Sequence, residues 1–191
     1  ERFQNNLSKS NPSFSNISNE DETKFRFNSN HNTNNYKFSF GGNFQLSNYI
    51  NTSQYDFYNI NYNSKIDFLK YGVFFKSSKS LINDRLGISF GVRLDQDNFT
   101  SNNNIFENIS PRIAISLKIS DDNKWKLNFA SGRYFKIPTY TSLGFKDSTG
   151  MFINKNSKYT RSDHYVGGLE FNWTESSRFT FEAFYKKYNN C

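Results

Sequence analysis

Few side chains in this 191-residue chain bring chemistry of their own. His31 and His164 lie far apart, and neither sits in a metal spacing such as His-Glu-x-x-His. His31 falls in a short polar turn, where solvation is the expectation. His164 stands beside Asp163 and Arg161 with no paired base or nucleophile, so a structural hydrogen bond is expected of it. Cys191 is the one cysteine and makes neither an internal disulfide nor a thiolate metal site. The run Asp95-Gln96-Asp97-Asn98 has the oxygens of a calcium loop but lacks its Gly and distal Glu, and a solvated turn fits it better. The sequence predicts no catalytic residue, no metal site and no cofactor.

Aromatic side chains on long connections are the remaining candidates. Tyr49, Tyr55, Phe57, Tyr58 and Tyr62 fall between 48 and 65, and Tyr140, Phe145, Phe152 and Tyr159 between 136 and 162. Tyr55, Tyr58, Tyr140, Phe145, Phe152 and Tyr159 are the predicted ligand contacts, because exposed rings on loops stack on sugars or on a chelated metal complex. The alternative is that these rings pack within their own loops or extend an aromatic belt. The abundance of Tyr and Phe along the whole chain favours that plainer reading.

The elements that must hold these loops are strands. The chain carries a net charge of +7 and only 35% hydrophobic residues, yet 19% are aromatic, including 22 Phe and 12 Tyr. A disordered polar chain is poor in aromatics, so the composition points to a folded one. No apolar stretch approaches the roughly 18 residues of a membrane helix. The Lys and Arg residues are spread over alternating positions and form no basic stripe, which argues against nucleic acid.

Residues 1–22 are polar and aperiodic and are expected to be a loop or disordered lead-in. From Thr23 a period of two sets in and predicts strands near 23–29, 36–47, 66–79, 85–97, 109–119, 123–135, 163–174 and 177–188. Short turns alternate with long connections at 48–65, 98–108 and 136–162, the rhythm of an up-and-down antiparallel sheet.

Through the middle of these strands one parity is free of charge. It holds Tyr36, Phe38, Phe40, Phe44 and Leu46, then Tyr71, Val73 and Phe75, then Leu86, Ile88, Phe90, Val92 and Leu94. It continues through Ile113, Ile115, Leu117, Trp125, Leu127, Phe129, Tyr165, Leu169, Phe171, Trp173, Phe179 and Phe181. The opposite parity collects Lys37, Lys70, Lys76, Arg93, Asp95, Arg112, Lys118, Lys126, Glu170, Glu182 and Lys186 among small residues. Its excess of basic groups either favours an anionic ligand in a wet channel or pairs with neighbouring protein.

A soluble β-sandwich also alternates in this way. Three features favour lipid instead: strands of about 10–13 residues, aromatics at the strand ends with aliphatics and Phe between, and the short-turn, long-loop asymmetry. The predicted fold is therefore all-β, an antiparallel up-and-down transmembrane β-barrel. It is a partial one, because Glu1 and Cys191 both read as cuts. Backbone groups left unpaired in hydrocarbon are costly, so such a sheet must close with further strands.

Particular motifs carry a resemblance. Ser110-Pro111-Arg112 opens one strand, Asp122 to Leu127 supplies a short turn before Trp-x-Leu, and Gly132 to Pro138 enters a long loop; Tyr159 to Phe171 follows it. In this order they resemble the barrel of TonB-dependent receptors from about residue 65 to 188, whereas residues 1–64 fit only as generic barrel sequence. In that family a barrel of about 22 strands encloses an N-terminal plug. Ligand enters from outside, and a TonB complex in the inner membrane supplies energy.

The resemblance implies that residues 23–191 are part of such a barrel in a Gram-negative-type outer membrane. It also implies the receptor's own plug, the TonB complex, outer-membrane lipid and an extracellular small molecule or glycan as partners. A passive outer-membrane channel or adhesin barrel and a soluble β-sandwich binding module remain the alternatives to an importer.

Overall fold

The computed structural model describes residues 2–11, 14–34, 36–56, 60–100, 104–120, 122, 124–174 and 176–190. It shows a nine-stranded antiparallel sheet in which every strand pairs with its sequence neighbours. The strands are β1 (Arg2–Asn11), β2 (Phe14–Thr33), β3 (Tyr36–Tyr55), β4 (Ile60–Leu81), β5 (Leu86–Asp97), β6 (Ile109–Lys118), β7 (Trp125–Lys136), β8 (Thr160–Thr174) and β9 (Ser177–Asn189). A 3-10 turn (Ile105–Asn108) sits in the β5–β6 connection, and a one-turn helix, α1 (Tyr140–Leu143), in the β7–β8 loop. No helix among the described residues is long and apolar enough to cross a membrane.

All eight expected strands are present as β2–β9, but two expectations about their ends need correction. Within residues 1–22, expected as a loop or lead-in, Arg2–Asn11 form β1 and residues 14–22 the outer part of β2, with Phe14 paired to Tyr55 and Glu22 to Ser47. Much of the connection expected over 48–65 is instead strand, at 48–55 and 60–65: β3 and β4 have 20 and 22 residues and stay in register to the pair Tyr55 and Ile60. Such a strand is about 66 Å long at ~3.3 Å per residue, and tilted by about 45° it still rises roughly twice the ~25 Å of an apolar band. Its outer part leaves the apolar band, with one face in water and the other meeting water or the β7–β8 loop. Ser, Asn and Gln then serve as well as Phe, and the period that marks a strand in sequence disappears while backbone pairing continues.

Within the band the uncharged parity lines up across the whole sheet. One row runs Phe38, Ser77, Phe90, Ile113, Ser131, Tyr165 and Tyr185; another runs Leu81, Leu86, Leu117, Leu127, Leu169 and Phe181. Phe25, Phe44, Phe90 and Phe181 on this face are 66%, 55%, 50% and 74% exposed, so no protein layer covers them. A sandwich would hide these rings against a second sheet, whereas the described residues form a single sheet. An apolar surface of this extent requires an apolar solvent.

Candidate functional site

The buried core lies on the other face of the sheet, at its outer end. The inward row Lys24, Gln45, Lys70 and Asp97 marks the transition, and the rows beyond it pair Ser47 with Phe68 and Tyr49 with Ile66. Just above the membrane band the inner face thus turns from charged to apolar. The β7–β8 loop folds inward onto this patch. Thr139 caps α1 by accepting the Ser142 amide at 3.3 Å. The helix sets Leu143, 0% exposed, and Tyr140 against Tyr49, Ile66 and Phe68, with Phe99, Ile137 and Phe152 at the margin. The Tyr140 ring meets Phe68 edge-on, centroids 5.2 Å apart at 89°.

Polar contacts fix the loop at three points. Tyr140 donates its hydroxyl hydrogen to Glu22 and accepts from Lys70, whose Nζ also lies 3.4 Å from Glu22. Gln45 Nε2 adds a contact of 3.3 Å to the same hydroxyl. At the second point the Gly144 carbonyl accepts from Ser64 and, at 3.0 Å, from Tyr62, while Tyr49 donates to Thr141 Oγ1 at 3.2 Å. A Cβ on Gly144 would stand 2.9 Å from Ser64 Oγ, so this close approach requires glycine. At the third point Tyr159 donates to Asp97 Oδ2 at 2.6 Å. Asp97 also accepts the Phe99 and Thr100 amides at 2.8 and 2.6 Å and the Thr100 hydroxyl at 2.8 Å.

Burial, and then the hydrogen bond to Glu22, pushes the Tyr140 hydroxyl well above the ordinary phenol value near 10.0. Burial and Asp97 raise Tyr159 in the same direction. Released phenols would ionise near their ordinary value while docked ones stay neutral. As pH is raised from neutral, docking therefore holds to about 10 and weakens beyond it. Hydrogen exchange at the Leu143 and Gly144 amides, followed with tyrosinate absorbance, checks this. Loss of protection that begins below about pH 9 would contradict it.

The expected ligand aromatics separate into two groups. Tyr140 and Tyr159 are buried loop anchors in this conformation, and half-buried Phe152 lies edge-on to Phe99 at 5.3 Å. Phe145, 49% exposed, keeps an open face beside Tyr62, and Tyr55, 42% exposed, stacks on Phe14 at the far end of β3. Tyr58 lies outside the described residues. Asp97, expected in a solvated turn, is 3% exposed: Phe99 and Thr100 wrap three local donors around it, and the folded loop adds the Tyr159 hydroxyl. Exposed His31 contacts Ser29 at 2.9 Å, and His164 contacts Ser162 at 2.6 Å and packs on Tyr134.

Glu22, Ser64 and Gly144 were not singled out by sequence, and Lys70 only as a charge of the inner parity. The available signal was Tyr49, Ile66 and Phe68, three large apolar residues on the otherwise charged parity. Toward the middle of the sheet, the inner wall forms an open concavity of about 510 Å³ whose lining includes Arg26, Asn43, Lys76, Arg93, Arg112 and Tyr134. Arg93 is held there by two 2.6 Å contacts to Asp95 and one of 2.7 Å to Asn43.

A single antiparallel sheet with a bare apolar outer face, a basic inner face and an outer loop folded inward defines the class: part of a transmembrane β-barrel. The family model described as "TonB dependent receptor-like, beta-barrel" matches residues 1–190, and the chain belongs to that family. Among solved structures, the copper transporter OprC superposes on 84% of the chain with a TM-score of 0.63 at 15% identity. The alcaligin outer membrane receptor FauA from Bordetella pertussis superposes on 92% with a TM-score of 0.55 at 11% identity. The matched regions cover 29% and 30% of those proteins, so the chain spans less than a third of their length. A search of curated protein sequences finds no match.

Proposed function

We propose that this chain is barrel wall from an outer-membrane importer that captures a scarce solute outside the cell, a siderophore, a glycan or a compound of similar size. Energy comes from the TonB complex, and the receptor's own plug occupies the space that the inner face bounds. The observation that carries this reading is the inward-folded β7–β8 loop above a basic inner wall, in a chain of this family. An entry path needs a shaped outer mouth, and a wet, positively charged wall suits an anionic solute or the carboxylates of a plug. Phe145 and Tyr55 offer open rings for ligand, whereas Tyr140, Phe152 and Tyr159 hold the loop that presents Phe145.

Uptake of candidate iron-siderophore complexes and oligosaccharides by cells with the intact receptor, with and without a functional TonB complex, tests the proposal. Saturable uptake that disappears without TonB is expected. Uptake that persists would point to a passive channel. Phe145→Ala is expected to weaken ligand binding about fivefold, the equivalent of roughly 1 kcal/mol for one ring contact. Titration of the bound ligand by tryptophan fluorescence measures this, and unchanged affinity would remove Phe145 from the site.

A further inference from the structure

The charge-free outer face ends abruptly on β7–β9. Tyr165 and Tyr185 pair across β8 and β9 with rings stacked at 6.3 Å, in the position of an interfacial belt. The next outward-facing row, about 7 Å further along the strands at ~3.4 Å per residue, reads Arg133, Asp163 and Lys187. Arg161 follows one row beyond, opposite Phe135. Asp163 accepts from Arg133 Nε at 2.9 Å and from Arg161 at 2.5 and 2.9 Å. It is 9% exposed, and the two guanidiniums beside it keep about a third of their side-chain surface in the open.

Two guanidiniums therefore share one carboxylate on the membrane side of the barrel, with Lys187 in register across from it. They stand at headgroup height, directly above the apolar column Tyr165, Leu169 and Phe181. A role in solute binding does not account for them, because they face away from the inner wall. Two guanidiniums fixed by one carboxylate present their remaining N–H groups with little loss of freedom on binding, and a planar fork suits a phosphate oxygen pair.

We infer that Arg133, Arg161 and Lys187 form a site for a phosphate-bearing lipid of the outer leaflet. The phosphate lies among the three cations and the acyl chains run down the Tyr165–Phe181 column. Charge complementarity and the continuity of the basic row with an apolar column favour an amphiphile over a soluble acidic protein, which would have no use for the column. The inference rests on the outward face being the lipid face.

The test uses the intact receptor reconstituted in nanodiscs, with native mass spectrometry reading bound lipid. The probes are bisphosphorylated lipid A, its dephosphorylated form, and inorganic phosphate as a free-anion competitor. Retention of the phosphorylated lipid is expected to fall at least tenfold in Arg133→Gln/Arg161→Gln/Lys187→Gln and about threefold in Lys187→Gln alone. Arg112→Gln, on the inner face, should leave it unchanged. Equal retention by Lys187→Gln and the parent, equal retention of the dephosphorylated lipid, displacement by millimolar phosphate, or an acidic protein bound in place of lipid would each overturn the inference. Insertion into nanodiscs is scored separately, so failure of the membrane reading is distinguishable from failure of the lipid site.

Discussion

Tyr140→Ala is expected to free the β7–β8 loop from the inner wall at a cost of about 3–5 kcal/mol in docking, the range for deleting a buried aromatic. The ring packs edge-on to Phe68 and near Tyr49, and its hydroxyl stands between Glu22 and Lys70. Protection of the Leu143 and Gly144 amides should drop by two orders of magnitude or more, while amides of the β5–β6 pairs stay unchanged. Tyr140→Phe should cost far less, about 1–2 kcal/mol. It keeps the ring and leaves Lys70 and Glu22 3.4 Å apart, able to pair directly. If the two variants behave alike, the hydroxyl rather than the ring holds the loop and the packing account fails.

The second large effect separates the two faces of one strand. Ile113 and Ala114 are adjacent on β6, but Ile113 lies in the outward row with Phe90 and Ser131, and Ala114 in the inward row with Ser89 and Ala130. Ile113→Arg is expected to destabilise the intact barrel by about 2–4 kcal/mol, the cost of a cation near the middle of the hydrocarbon. Ala114→Arg should shift stability by less than about 1 kcal/mol, because the added guanidinium meets water and polar neighbours. Urea unfolding in lipid vesicles, read by the gel mobility of folded and unfolded receptor, measures both. Equal costs would remove the distinction between the faces.

What was legible in the sequence follows from where the solvent changes. Between Phe38 and Leu46 one face meets hydrocarbon and the other water, so the parity of β3 is written in residue type. From Asn48 to Tyr55 both faces meet water or the folded loop, and the same strand continues without a period. The outer part of β2 was illegible for the same reason. α1 is a single turn of four residues, too short for a helical period, and its packing on Tyr49, Ile66 and Phe68 and its polar contacts to Glu22 and Lys70 hold it. Asp97 looked solvated because its partners arrive from Thr100 and from Tyr159, 62 residues away. Which candidate aromatics stay open depended on the loop path, which turned Tyr140 and Tyr159 inward and left Phe145 outside.

Everything rests on which face touches acyl chains, and spin-label accessibility reports that directly. Single cysteines placed along β5 and β6 in a Cys191→Ser background of the vesicle-embedded receptor would be scanned with oxygen and a water-soluble nickel complex. Labels at Phe90, Val92, Ile113 and Ile115 should be open to oxygen and closed to nickel, and those at Ser89, Gly91, Ala114 and Ser116 should show no such preference for oxygen. Outward labels closed to both probes would mean that a second protein layer covers this face, and the barrel account would be contradicted.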